Sequence, residues 1–176
     1  MVQAALSCIN QVASYLKVQP GKINIGADFM ITRTKKNIIQ SGFVNIISDL
    51  LKESKMKNNI ENQLEEVQLW QWLEYCISYA VHSSSHQNIQ QVLNELNGLL
   101  ELKTYLVAHK LTIADVALYY IIYNVMQNLT PVEKETYLNV SRWFDNIQQN
   151  SAIRQSNKFV NFSSNYITHR APARHV

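Results

Sequence analysis

His82 and His86 stand four residues apart, the spacing that sets two imidazoles on one side of a helix as a metal pair. A catalytic site of that kind also needs a glutamate between the histidines and a third ligand, whereas Ser83, Ser84 and Ser85 fill the interval and no further ligand stands nearby in the sequence. The segment reads as a polar loop. Gly21-Lys22 lacks the upstream glycine and downstream Ser or Thr of a phosphate loop, so it reads as a turn followed by a solvated lysine. Cys8 and Cys76 form no C-x-x-C pair and sit among apolar neighbours, where free cysteine behaves as a small hydrophobe; buried thiols in a reducing compartment are expected.

The strongest local pattern is Leu111-Thr112-Ile113-Ala114-Asp115-Val116. A Thr at the N-cap, an acid three residues on, and apolar residues on either side make a capping box with a hydrophobic staple. Its role is structural, and the apolar run Val116–Met126 behind it marks a central helix. Thr130-Pro131-Val132-Glu133 repeats the box, with proline at the first helical position, where its missing N–H costs nothing.

These boxes need helices to open, and the chain is well supplied. Val2, Ala5, Leu6, Ile9, Val12, Ala13 and Leu16 form one helical stripe ended by Pro20-Gly21. Ile23/Ile25, Phe29-Met30-Ile31 and Ile38-Ile39 are short runs expected as strands, with Lys35-Lys36-Asn37 as a hairpin turn. Phe43, Ile46, Ile47, Leu50 and Leu51 return to helical spacing, with Ser41 placed to cap them. Lys52–Asn59 reads as a linker. Ile60, Leu64, Val67, Trp70, Leu73, Ile77 and Val81 trace a long helix, and Ile89, Val92, Leu93, Leu96 and Leu100 a second, antiparallel neighbour. Val140–Ile147, carrying Trp143 and Phe144, is the last amphipathic segment; Trp70 is expected in the core and Trp143 at an interface edge.

The composition, 47% hydrophobic and 16% charged over 176 residues with 4 Gly and 3 Pro, excludes a disordered or fibrous chain and favours helix. The net charge of +3 hides a change of sign: residues 1–58 are basic on balance and residues 59–168 acidic, a candidate domain boundary. No apolar stretch approaches the roughly 18 residues of a membrane span, and Met1–Leu16 lacks a charged n-region, so a chain outside the secretory route and away from membranes is expected. Three N-x-S/T triplets, at Asn128, Asn139 and Asn161, then carry no role.

A mixed α/β beginning followed by helices, with a central helix opening Thr-x-x-Asp, resembles the glutathione transferase (GST) fold. The expected fold class is mainly α: a small degenerate thioredoxin-like domain over 1–56, an all-helical GST C-terminal-like domain over 60–160 and a basic tail over 161–176. Within that superfamily, Gln71-Trp72-Leu73-Glu74-Tyr75, Leu111–Asp115 and Tyr137-Leu138-Asn139-Val140-Ser141-Arg142-Trp143-Phe144 resemble the elongation factor 1 epsilon family. The resemblance runs from Val2 to about Gln155 and is strongest from Gln71 to Arg154.

The resemblance implies a non-catalytic adaptor of the aminoacyl-tRNA synthetase complex that joins the GST-like domains of methionyl-tRNA synthetase and glutamyl-prolyl-tRNA synthetase. It implies cytoplasmic placement, with a nuclear role among vertebrate relatives, and no cofactor or metal. The thiol-activating Tyr, Ser or Cys of a transferase is not visible, and Met30 takes the place of its cis-proline. Gln40-Ser41 resembles the pair that grips the γ-glutamyl group, yet Ser41 as a helix cap accounts for the same residues. A superfamily dimer pairs helices of the N-terminal domain, which places one docking surface on Phe43, Ile46, Ile47 and Leu50, and the family places a second on Arg142 and Trp143; Thr112 and Asp115 remain structural. Two other readings stay open: a divergent glutathione transferase, and a tRNA-binding accessory protein whose Arg33, Lys35, Lys36, Lys52, Lys55 and Lys57 face phosphates. A weak homodimer is a further expectation.

Overall fold

The computed structural model describes residues 2–26, 30–56, 60–82 and 86–162. Phe29, Lys57, the serine run and most of the basic tail lie outside them, as do the side chains of Val2 and His86.

Helix α1 (Val2–Tyr15) buries Ala5, Ile9, Val12 and Ala13 of the stripe its spacing foretold, together with Cys8, while Leu6 is half-buried. Lys17, at φ 56°, takes the left-handed turn that ends it. Gly21 follows at φ 76°, where an added Cβ would sit 2.8 Å from the Thr34 carbonyl oxygen, so only glycine fits between the loop and the sheet.

Strands β1 (Lys22–Ile25), β2 (Ile31–Lys35) and β3 (Ile38–Ser41) form an antiparallel sheet in the order β1-β2-β3. The expected hairpin turn closes on two residues, Lys36 and Asn37, both at positive φ, the backbone of a type I′ turn whose twist matches the flanking strands. Its register pairs Lys35 with Ile38 and Thr32 with Ser41.

Helix α2 (Phe43–Glu53) begins at Gly42, φ 93°, with no side-chain cap. Ser41 is the last residue of β3, its backbone carbonyl accepts from the Asn45 side-chain amide, and its hydroxyl does not cap the helix as expected. Lys52 and Glu53, expected in a linker, belong to this helix.

Helix α3 (Gln63–Ser78) is capped by Asn62, whose side chain accepts from the Glu65 amide at 2.9 Å, and it passes into a 3-10 turn over Ala80–His82. Its inward face is Glu65, Leu69, Leu73 and Cys76, leaving Leu64 68% and Val67 56% exposed, so the apolar stripe read from the sequence is only partly the buried one. Helix α4 (His86–Leu99) packs on a later helix, α7 (Leu138–Gln148).

Between them in sequence lie α5 (Ile113–Asn128) and α6 (Pro131–Thr136); the short α8 (Ser151–Arg154) follows α7. Helix α5 is the axis, buried nearly all round and packed by α1, α3 and α7, as its almost wholly apolar sequence requires. The apolar core is one cluster running from Ala5 to Val160.

Helix α8 and the residues after it fold back over α5. Tyr120 donates to the Ile153 carbonyl at 2.6 Å, Tyr123 to the Lys158 carbonyl at 2.8 Å, and the buried Gln148 side chain both donates to and accepts from the backbone of Val160. Among the described residues no helix is long and apolar enough to cross a membrane.

Candidate docking surfaces

Phe43, Ile46, Ile47 and Leu50 are buried to 4% exposure or less, Ile46, Ile47 and Leu50 completely. They are the face of α2 that seals the core, so their side chains cannot form the docking surface expected of them; an amphipathic stripe reads the same from sequence whether its partner is the protein's own core or another chain. The exposed surface next to them is different. Met30, Val44, Asn45, Glu74 and Ile77 line a cleft of about 290 Å³ between β2, α2 and α3. Leu64 and Val67 lie exposed farther along α3.

The expected basic surface is also rearranged. Arg33 is only 2% exposed, and its guanidinium donates to both carboxylate oxygens of Glu53, at 3.0 and 2.9 Å, and to the carbonyls of Pro20 and Gln19. This satisfied fork ties β2 to the loop after α1 and to the last turn of α2. Lys35 reaches the same carboxylate at 2.6 Å. The hydrogen bond from Arg33, with help from Lys35, holds the Glu53 carboxyl down at about 2. Arg33 is thus a structural cation, unavailable to a phosphate.

Trp143, expected at an interface edge, is 1% exposed. Its indole N–H donates to Asp115 Oδ1 at 3.0 Å, and the same oxygen accepts from the Leu106 amide at 2.9 Å. Oδ2 accepts from the Thr112 amide and hydroxyl, both at 2.9 Å, closing the box at the start of α5. Burial pushes the Asp115 carboxyl up from its ordinary value, and the four donors draw it back. Residue type and spacing foretold the cap but not the bonds from Leu106 and Trp143, which come from nine and 28 positions away from Asp115, outside the reach of a local pattern. The second box, Thr130 with Glu133 at the start of α6, forms as its sequence implies.

Arg142, one residue before Trp143, lies on the exposed side of α7. Its Nη2 donates to the Leu100 carbonyl at 2.6 Å and the Lys103 carbonyl at 3.0 Å, pinning the chain just beyond α4. Leu102, 87% exposed, sits within this pinned loop, and Leu138 is exposed at the start of α7. Asn97 joins the two elements, accepting from the Asn139 amide at 2.9 Å while its carbonyl accepts from the Asn139 side chain at 3.0 Å. Arg142 therefore presents a cation on a rigid mount beside exposed leucines.

Both cysteines are buried free thiols, and burial pushes both up, Cys8 with its Sγ against the Ala117 carbonyl. Neither can act as a nucleophile. His82 belongs to the 3-10 turn, whereas the His86 side chain is outside the description. Gln40, Ser41, Asn45, Asp49 and Lys52 line a small polar cleft along α2.

Over 136 residues, the chain is 38% identical to the eukaryotic translation elongation factor 1 epsilon-1 of Cricetulus griseus, covering 77% of this chain and 78% of that protein. The chain belongs to the elongation factor 1 epsilon-1 family. A family model described as nuclear-export cofactor Arc1p also matches, over residues 65–151. A second relationship runs to a synthetase: the bifunctional glutamate/proline–tRNA ligase of Mus musculus is 30% identical over 110 residues, 61% of this chain and 7% of that protein. The fold is that of the GST-like domain of elongation factor 1-gamma from Saccharomyces cerevisiae, with a TM-score of 0.63, 14% identity and 93% of each chain covered. The GST-like architecture expected from the sequence is thus the architecture of this member of the epsilon-1 family.

Proposed function

We propose that this chain is a non-catalytic docking adaptor of the aminoacyl-tRNA synthetase complex in the cytoplasm, joining GST-like domains of methionyl-tRNA synthetase and glutamyl-prolyl-tRNA synthetase. The observation that carries this reading is the double relationship, to a free-standing translation factor over most of its length and to a small part of a large synthetase. A fold shared by a separate chain and a synthetase appendage is suited to pairing like with like, each contact burying on the order of 1,600 Å².

Two surfaces of the fold support this reading. One runs along α2 and α3, where Met30, Leu64 and Val67 are exposed and Val44 and Ile77 are half-buried, in place of the buried α2 stripe. The other is Arg142 with Leu102 and Leu138, at the junction of α7 and the loop after α4. Arginine beside apolar groups is a frequent interface anchor. The absence of catalysis is supported by two deeply buried thiols whose ionisation burial disfavours and by Met30 in the cis-proline position.

A conjugation assay with glutathione and an electrophilic substrate tests the second half of the proposal. The expected result is no turnover above the uncatalysed rate. Turnover that is abolished by changing Gln40 and Ser41 together would make the chain a divergent transferase.

A further inference from the structure

The sheet ends in an open edge. Its strands run in the order β1-β2-β3, so β3 has a neighbour on one side only. The two-residue turn at Lys36-Asn37 makes Lys35 and Ile38 a pair that exchanges backbone hydrogen bonds, and the alternation of an antiparallel ladder gives Arg33 with Gln40 as the next such pair. The Gly42 amide, donating to the Ile31 carbonyl at 2.9 Å, continues the same phase. Ile39 and Ser41 therefore turn their N–H and carbonyl groups away from β2, toward the edge. The Ser41 carbonyl accepts from the Asn45 side-chain amide there at 3.0 Å, whereas nothing among the described residues bonds the backbone of Ile39.

Edges of this kind are ordinarily blunted by charge, proline or a bulge. The opposite edge strand, β1, carries Lys22. Strand β3 reads Ile38-Ile39-Gln40-Ser41, stays in unbroken register with β2, and has none of these devices. Its two isoleucines are 64% and 70% exposed. Unpaired backbone groups beside exposed β-branched side chains are matched by one kind of occupant, another extended strand.

The strand is complementary to itself. Pairing β3 antiparallel with a second β3 about Ile39 uses the free N–H and carbonyl of both chains, sets the two Ile39 side chains beside each other on the face of the sheet away from Arg33, and leaves the Ser41–Asn45 bond intact. A pairing centred on Gln40 would instead set Ile39 against Ser41, whose carbonyl is already taken. The two-fold axis also brings together the polar flank of α2, where Asn45, Ser48, Asp49 and Lys52 line a cleft of about 320 Å³ with Gln40 and Ser41. Asp49 and Lys52 lie one helical turn apart, so antiparallel copies of α2 match each acid with the other chain's base.

We propose that β3 is a self-association edge: two copies of the chain join β3 to β3, antiparallel about a two-fold axis at Ile39, and their sheets become one. The contact rests on two backbone hydrogen bonds and a small apolar patch, so it is weak and forms with rising concentration. It stands whether or not the chain acts as an adaptor.

The test is disulfide scanning of the full chain. In this register the two Ile39 Cα atoms lie about 5.5 Å apart, within bridging reach, and Ile39→Cys is expected to form a covalent dimer under mild oxidation. Ile38→Cys and Gln40→Cys are each expected to give little dimer alone and to cross-link to each other when mixed, since residue 38 faces residue 40 of the second copy. Cys8 and Cys76 are buried and burial holds both thiols protonated, so the wild type serves as the unlinked control. Sedimentation equilibrium reads the reversible contact: the average mass of the wild type is expected to rise above that of the single chain with concentration, to stay at the single chain's with Ile39→Lys, an exposed position, and to rise as in the wild type with Leu64→Asp and Val67→Asp, the changes that probe synthetase docking. A mass that never rises, failure of Ile39→Cys to link, self-linking of Ile38→Cys as efficient as that of Ile39→Cys, or a dimer indifferent to Ile39→Lys would each overturn the proposal.

Discussion

The indole N–H of Trp143 on α7 donates to the Asp115 carboxylate at the start of α5, 3.0 Å away, inside the core. One carboxylate thus caps the central helix, holds the loop backbone at Leu106 and orients the tryptophan beside Arg142. Arg142, the proposed docking cation, therefore stands on a mount fixed from within.

Asp115→Ala removes the acceptor for four donors in a dry site. An N-cap alone contributes about 1 kcal/mol, but stranded buried donors cost roughly 1–3 kcal/mol each, so a total loss of about 3 kcal/mol or more is expected. For a chain of this size that lowers the melting temperature by roughly 6–12 °C. Asp115→Asn, which keeps part of the acceptor capacity, is expected to lose less. Calorimetry that finds the alanine variant within the range of a lone cap would detach Trp143 and Leu106 from the fold's stability.

The Arg33–Glu53 pair makes stability depend on acid. Glu53 is held at about 2 in the folded chain against an ordinary value of 4.5, so its contribution is whole above 4.5 and is lost as the pH falls toward 2. With its carboxylate 34% exposed, solvent screening limits the contribution to about 1 kcal/mol. Glu53→Gln is expected to flatten the stability–pH curve in that window and leave it unchanged near neutrality in slope. Urea titrations of both proteins between pH 2 and 5 read the difference; parallel curves would contradict it.

Two charge insertions separate core from surface. Ile46→Asp places an unpaired carboxylate in the core and is expected to unfold the chain. Leu64→Asp with Val67→Asp leaves folding within about 0.5 kcal/mol of the wild type, since both side chains are solvated, and abolishes binding to the GST-like domain of methionyl-tRNA synthetase. Full binding by the doubly charged, folded variant would place that partner elsewhere.

Arg142→Ala removes two bonds to the loop after α4 as well as a surface cation. A local role alone costs about 1 kcal/mol of stability. A docking role adds a loss of roughly thirtyfold, about 2 kcal/mol, in affinity for the glutamyl-prolyl-tRNA synthetase domain, with methionyl-tRNA synthetase binding retained. Arg142→Lys keeps the charge but not the fork and is expected to restore little of either.

What the sequence disclosed was local. Both capping boxes lie within four residues, and the Lys36-Asn37 hairpin is a two-residue event, so residue type sufficed to place them. The helical class followed from periodicity that needs no partner. Partnership itself was hidden: the α2 stripe turned inward, Leu64 and Val67 turned outward from the same pattern as Leu73, and Arg33 left the basic surface for Glu53, twenty residues away. The strap formed by α8 and the residues after it gave no signal, because its anchors, Tyr120, Tyr123 and Gln148, bond backbone groups that any sequence would offer.

The central claim, that the chain docks synthetase domains and performs no catalysis, is met most directly by isothermal calorimetry of the purified full chain against the isolated GST-like domain of glutamyl-prolyl-tRNA synthetase at physiological salt. The account expects saturable one-to-one binding with a dissociation constant on the order of 1 μM or tighter, weakened by Arg142→Ala and untouched by Leu64→Asp with Val67→Asp. No heat of binding from folded partners, or an affinity indifferent to Arg142, would contradict it.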